Sequence, residues 1–592
     1  MRIPPWAVVL SVLGVAFVAT AEIVSSERRI VWQPGIPGGI PDASATCPAS
    51  APSVIDFGAV GDGLVDDYPA FEAAVQAASQ GSAIRIPEGS YLLRTGLSID
   101  KGVILCGEGP DKSRLLFDCV QNAISIVKYD RGDFVSVSAG AGKDSTQLTI
   151  ADASSFSVGD FAELQQENDW DVMDPENYWR DPAQVDWVPE SCVGQMFEVL
   201  AVSGNTITVD PPLHLDYNPA MNPQIRPIGL VSGAGIQGLY LTRLNTEDLA
   251  TVEIKNAAYC WMRDCESENT FRAHLTASSA LRCELRHNYM HHAYDYGGGG
   301  HGYGVTLGNH VTDFLVEDNI FVHLRHAMMV QAGASGNVYG YNYSVERESE
   351  GSWTPCDISL HGHYTNMNLF EGNTIQEVDV ADYWGPCGPG NTFLRNRVET
   401  EGIQVMDYSQ RQNLVGNELT SDPNVISEEN NVQDTLAHGN YQDGSLSWDP
   451  AISDHEIPAS YFHDSKPSFF GCTPWPATGA DLAPDGLMIP AEQRQKGILV
   501  ECDGGDDGAD SGDYGAGDED GVAGDEGGGD DTGNSEADPG TDDGGTEPKA
   551  DQSPAVKGGC GCATHSVPGG ILLILMPIGV LMRRPRKRGM TQ

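Results

Sequence analysis

Basic side chains are scarce: the 592-residue chain has 34 Lys and Arg against 84 Asp and Glu, a net charge of −50. A protein that neutralises phosphates needs the opposite sign, so nucleic acid is excluded as a partner. No Gly-X-Y period runs through the 69 glycines, which excludes collagen. Neither a Cys/His spacing of the structural-zinc type nor an EF-hand-type loop occurs. Long apolar runs are confined to the two ends. What is present is a hydrophobic fraction of 40%, enough for a core, in a chain too long for one ordinary domain but within reach of a repetitive fold.

The ends read as addresses. Residues 1–21 have the form of a secretory signal peptide: Arg2, an apolar stretch from Trp6 to Val18, and Ala19-Thr20-Ala21 as a small-x-small cleavage site. At the other end, residues 503–552 carry 18 acidic side chains and the single Lys549. Such a segment buries too little to offset its ordering entropy and is expected to be a disordered acidic linker over 503–558. Then come Cys560-Gly561-Cys562, an apolar run of 16 from Val567 to Met582, and the basic tail Arg583, Arg584, Arg586, Lys587, Arg588. Sixteen helical residues reach about 24 Å, marginal for a bilayer, and the basic tail would stay cytoplasmic. The order over 559–592 resembles the myxobacterial-type C-terminal sorting tag (MYXO-CTERM). That resemblance implies a transmembrane segment, a processing protease as partner, and a protein secreted and held at the cell surface.

Residues 50–129 contain VIDFGAVGDGLVDDYPAFEAAVQAA followed by short alternating strands at 83–86, 91–93 and 103–105. Asp66 or Asp67 can cap a helix whose Phe71, Ala74, Val75 and Ala78 share one face. The stretch resembles the start of the pectate-lyase-like superfamily, the group of rhamnogalacturonases and related epimerases. The resemblance implies an all-β fold, a right-handed parallel β-helix with an N-terminal capping helix, and structural roles for Asp62, Asp66 and Asp67.

Self-comparison finds a repeat in residues 226–420. MRDC, LRHN, VEDN, GYN, FEGN, FLRN and LVGN end at Cys265, Asn288, Asn319, Asn342, Asn373, Asn396 and Asn417, with separations of 23, 31, 23, 31, 23 and 21. A period of this size means a solenoid whose coils stack to bury their apolar faces. Six stacked Asn suit a coil corner, where they bond to one another and to turn backbone and tolerate the αL conformation. Cys260 and Cys283 share a column, open to either a disulfide or stacked thiols; Cys356 with Cys387, and Cys472 with Cys502, are further pairings. Residues 130–225 break the period and read as an inserted β subdomain; 421–500, rich in Pro and Trp, read as a C-terminal cover over the last coil.

Nine of the 15 histidines fall between His287 and His363, a window that holds both eight-residue expansions. Polar loops on a rigid scaffold commonly carry function. Counting back 16 residues from each repeat position gives a polar column of Arg272, Tyr303, His326 and Asp357. The expected groove adds Arg325 as a catalytic residue, with His301, His361, Asp382, Tyr296 and Trp384 binding substrate. His361 and His363 on one strand would share a side, but the zinc signal is weak. Calcium suits a secreted acidic protein, with Asp295, Asp357, Asp379 or Asp382 as oxygen donors.

Three functions compete. In a polysaccharide lyase acting on an acidic polysaccharide by β-elimination, Arg272 or Arg325 neutralises the uronate and His326 or Tyr303 moves protons. In a glycoside hydrolase, Asp357 and Asp382 flank the bond. A carbohydrate-binding adhesin would need only aromatic platforms such as Tyr294, Tyr296, Tyr303, Trp353 and Trp384. The reactive motifs of the superfamily are not legible here, so the sequence leaves the reaction class open.

Overall fold

The computed structural model describes residues 22–176, 191–381, 384–420, 425–484, 486–498 and 500. The expected signal peptide, acidic linker and sorting tag lie outside these residues, as do Asp382 and Cys502. Among the described residues no helix is long and apolar enough to cross a membrane.

The chain is an all-β, right-handed parallel β-helix with few and short helices. One face is an 11-stranded parallel sheet running from Ala83–Ile86 to Leu436–His438. A 22-stranded sheet makes the second and third faces, joined where Thr374–Val380 and Arg397–Val405 run on round the corner. Register turns sequence periodicity into packing. Met262, Leu285, Val316, Tyr339, Phe370, Phe393 and Leu414 are paired coil by coil on the first face and point inward. The rings of Tyr339, Phe370 and Phe393 stack at 4.9 and 4.8 Å. Val252, Leu275, Val305, Met328, Ile358, Val378 and Ile403 form the matching inner column of the third face.

The six Asn occupy one corner. Each Nδ2 donates to the Oδ1 of the next, from Asn288 to Asn319, Asn342, Asn373, Asn396 and Asn417, at 2.9–3.0 Å, and Asn440 extends the ladder. The αL conformation belongs to the residue before each Asn (His287, Asp318, Tyr341, Gly372, Arg395, Gly416), not to the Asn itself. A second ladder, Asn337–Asn368–Asn391–Gln412, lines another corner.

The helix Tyr68–Ala77 buries Ala70, Phe71, Ala74 and Val75. Asp67 does not cap it by side chain; its carboxylate accepts from the Val60 and Gly61 amides, and Asp66 accepts from Tyr68 N. The interruption after the first coils is a seven-stranded antiparallel sheet from Asp130–Arg131 to Gln224–Gly229. It docks through buried pairs: His310 Nδ1 lies 2.9 Å from Glu163 Oε1 and its Nε2 2.9 Å from the Ser191 carbonyl.

The terminal segments run lengthwise. Trp32 Nε1 donates to Met367 O, and Cys47 is bonded to Cys106. At the far end the β-hairpin of Asn440–Gln442 and Ser445–Ser447 forms the last pairing. Beyond this hairpin, residues 457–498 run back along the flank. His463 lies 2.7 Å from Glu317, Arg395 pairs with Asp481, and Arg494 in the helix Pro490–Lys496 grips Asp318 at 2.8 Å. Buried carboxylates on the coils need partners, and this strap supplies them. Cys260 and Cys283 are unbridged stacked thiols, each Sγ turned toward a carbonyl of its own coil. Cys472 is disulfide-bonded.

Candidate functional site

The outer side of the third face holds the site. Hydrogen-bonded register places Ala273, Tyr303 and His326 in one column, and the pairing of Met328 with Ile358 brings Cys356 in line. The column counted from the repeat therefore slips by one residue at both ends: Ala273 stands for Arg272, and Cys356 for Asp357. The return from this column to the Asn ladder takes 15, 16, 16 and 17 residues on successive coils, so a fixed offset holds only for Tyr303 and His326.

From these strands a row of rings and one cation runs across four coils. Trp353 lies 5.4 Å from the Arg325 guanidinium, which lies 5.3 Å from the Tyr303 ring. Tyr303 is 4.8 Å from His326, His326 is 6.0 Å from His361, and His361 is 5.9 Å from Trp384. Beside it a second outward column of Thr276, Thr306, Met329, Ser359, Asp379 and Gln404 forms the floor. Trp384 packs near Tyr364, Trp170 and Cys192, so the inserted subdomain reaches this end of the groove.

His326 is buried. Its Nδ1 sits 3.1 Å from the Cys356 carbonyl and 3.3 Å from Cys356 Sγ. A carbonyl only accepts, so Nδ1 carries the proton and Nε2 the lone pair. Burial first, then the Arg325 and His361 charges, push its pKa well below the usual histidine range, so the ring is neutral at pH 7.

Other expected residues lie elsewhere. Arg272 is 2.9 Å from Asp248, and His301 bridges Asp248 at 3.3 Å and Asp295 at 2.9 Å, a chain of polar contacts that pins the 294–302 loop. Tyr296 faces His323 and accepts from Ala293 N with its hydroxyl, on the second-face side of that loop. Asp357 turns away at the corner, where Ser344 Oγ and the Gln376 and Glu377 amides donate to it. Burial raises its pKa to about 6. The hydrolase pair thus keeps no partner in the groove among the described residues. Calcium fares no better: both Asp357 oxygens are taken, Asp295 is held by His301 and Gly297 N, and no group of three suitable donors exists among the described residues.

Cys356 was not expected in the groove, and Asp379 was expected only as a calcium donor. Asp379 could have been found by carrying the inner column one residue outward from Val378. Cys356 is one residue from the position counted.

The profile of the family described as rhamnogalacturonase A/epimerase, pectate lyase-like, matches residues 52–133. No curated protein sequence matches the chain. Similar solved structures include the tailspike protein gp49 of Pseudomonas phage LKA1, at 17% identity and TM-score 0.48, over 62% of this chain and 64% of that one. They include also the catalytic unit of a GH87 α-1,3-glucanase from Streptomyces thermodiastaticus (13%, TM-score 0.34, 70% and 72%). A third is the A-module of the Azotobacter vinelandii mannuronan C-5 epimerase AlgE6 (12%, TM-score 0.25, 68% and 100%). The chain thus spans just under two thirds of the LKA1 tailspike's length. The family signature thus falls on the cap and first coils, and the coils behind it stack in parallel register.

Proposed function

We propose that this protein is a polysaccharide lyase acting on an acidic polysaccharide laid along the third-face groove. The observation that carries the reading is the Tyr303–His326 pair: a neutral imidazole with its lone pair on Nε2 beside a phenol, on adjacent coils, 4.8 Å between rings. His326 Nε2 takes the proton α to the uronate carboxylate. The electron pair forms the double bond, the β carbon–oxygen bond breaks, and the Tyr303 hydroxyl protonates the leaving oxygen. The rings of Trp384 and Trp353 at the two ends of the row suit sugar stacking, and His361 continues the row between them.

The family signature over 52–133 and the polysaccharide chemistry named for the glucanase and the epimerase agree with a glycan substrate. On the same reading the protein is secreted, its terminal segment is processed as a sorting tag by a dedicated protease and inserted in the membrane, and the β-helix is displayed at the cell surface. Residues 22–500 incubated with pectins, alginate, glycosaminoglycans and neutral glycans test the chemistry. Unsaturated uronate ends are expected. Reducing ends without unsaturation point to hydrolysis, and retention without product to an adhesin.

A further inference from the structure

A chain of net charge −50 that binds an acidic polymer needs a cation with its charge to spare. Most of the buried arginines are spent: Arg28 on Asp434, Arg282 on Asp210, Arg395 on Asp481 and Arg397 on Glu418. Arg325 is not. It is 5% exposed, forms no ion pair among the described residues, and donates one hydrogen bond, from Nη1 to the Gly297 carbonyl. Its Nε is buried without a partner, and Nη2 makes no bond within the described residues.

Those two donors are the side-on fork of a guanidinium, two parallel N–H groups spaced for two oxygens of one oxyanion. The same pair of donors is engaged elsewhere in the protein, where Arg226 turns Nε and Nη2 together onto a single oxygen, Glu163 Oε2. In Arg325 the Tyr303 and Trp353 rings flank the guanidinium, and the Gly297 carbonyl fixes its remaining corner. Gly298 lets Trp353 approach, since a Cβ there would stand 2.2 Å from Trp353 Cζ2. Trp353 itself is 47% exposed. A buried donor left unmade is costly, so the empty fork marks a place for a ligand.

We infer that Arg325 is the oxyanion receptor of the groove: its Nε/Nη2 fork holds a carboxylate or sulfate ester of a sugar that stacks on Trp353. Arg272, committed to Asp248, does not share this role. The inference rests on the glycan reading of the groove and selects the charged substituent that it recognises.

The test is binding, not turnover. Galacturonate and glucuronate oligosaccharides, a sulfated galactan and a neutral galactan are titrated calorimetrically into the 22–500 protein and its Arg325→Gln and Arg325→Lys variants. The native protein is expected to prefer an anionic ligand to the neutral one. Arg325→Gln should lose that preference by about 10- to 100-fold. Arg325→Lys, which keeps the charge without the fork, should lose most of it, and it carries the test if the Gln variant fails to fold. Preference for uronate over sulfate identifies a carboxylate, and the reverse a sulfate ester. Equal binding of neutral and anionic glycans, or anion preference untouched in both variants, overturns the inference. If no glycan is cleaved while anion preference still depends on Arg325, the lyase reading falls and this one stands. Cleavage by an enzyme whose anion binding ignores Arg325 does the opposite.

Discussion

The Asn corner and the corner that opens onto the third face belong to the same coils, yet they are built differently. At the first, every amide from Asn288 to Asn417 is bonded to its neighbours and fully enclosed, coil after coil. At the second, the αL positions are Asn269, His292, His323 and Glu346, and beside them the outward column passes from Ala273 to Tyr303 to His326. Uniformity at one corner sets the stacking distance and register. That leaves the other corner free to take insertions and unlike side chains, because a solenoid's stability is a sum of neighbour contacts. Stability and chemistry should therefore be separable by mutation.

The largest expected effect is on turnover. His326→Ala should lower it by about 10²–10⁴-fold, the size of a general-base contribution, while circular dichroism still reports the β-helix. Equal turnover in the variant would remove His326 from the mechanism.

Next is a bond outside both corners. Cys47–Cys106 closes a loop of 59 residues, and the chain-entropy relation assigns it about 4 kcal/mol. Cys106→Ala should lower the denaturant midpoint accordingly and leave turnover per folded molecule unchanged.

Asn373→Ala should do at the ladder what His326→Ala does at the groove. Asn373 accepts from Asn342 N and Nδ2 and donates to Tyr339 O and Asn396 Oδ1, all buried. Stranding these groups should cost about 2–4 kcal/mol in chemical denaturation, with turnover of the folded fraction intact.

Acidity sharpens the contrast. Burial raises the pKa of Asp318 and of Asp357 to about 6 despite their partners. The folded state therefore holds protons there that the unfolded state has released, and stability should rise by about 1–3 kcal/mol as pH falls from 7 to 5. Glu163 works in the opposite sense. Burial opposes its ionisation, but the His310 and Arg226 contacts hold its pKa at about 2, so its contribution is lost as pH falls from about 4.5 toward 2. Melting temperature against pH should thus show a maximum near pH 5, and Asp357→Asn should flatten the rise. The smallest effect is in the activity profile: with its pKa well below 6.5, His326 should give no loss of turnover between pH 7 and 6.

The stacking repeat, the cap and the place of the interruption were legible in the sequence because each follows from a short-range pattern: a recurring Asn, an amphipathic turn, a broken period. The site was legible in part. Tyr303, His326, Arg325, His361 and Trp384 do come together, since their coils share one register. Arg272, Asp357, His301 and Tyr296 do not join that row, for reasons of one residue or one ion pair. A shift of one position along a strand or corner reverses the side a residue faces, and the growing return path hides that shift from any fixed count. The lengthwise straps were not legible at all, because contacts such as Arg28 with Asp434 link residues at opposite ends of the sequence.

The most direct measurement is the product formed from a uronate polymer by the 22–500 protein, by Asn373→Ala and by His326→Ala, each normalised to folded molecules. Unsaturated uronate ends from the native and Asn373→Ala proteins, and at least a hundredfold less from His326→Ala, are the expected result. Product without unsaturation, or an equal loss of activity in both variants, would contradict a lyase site carried on the third face by a separately stabilised scaffold.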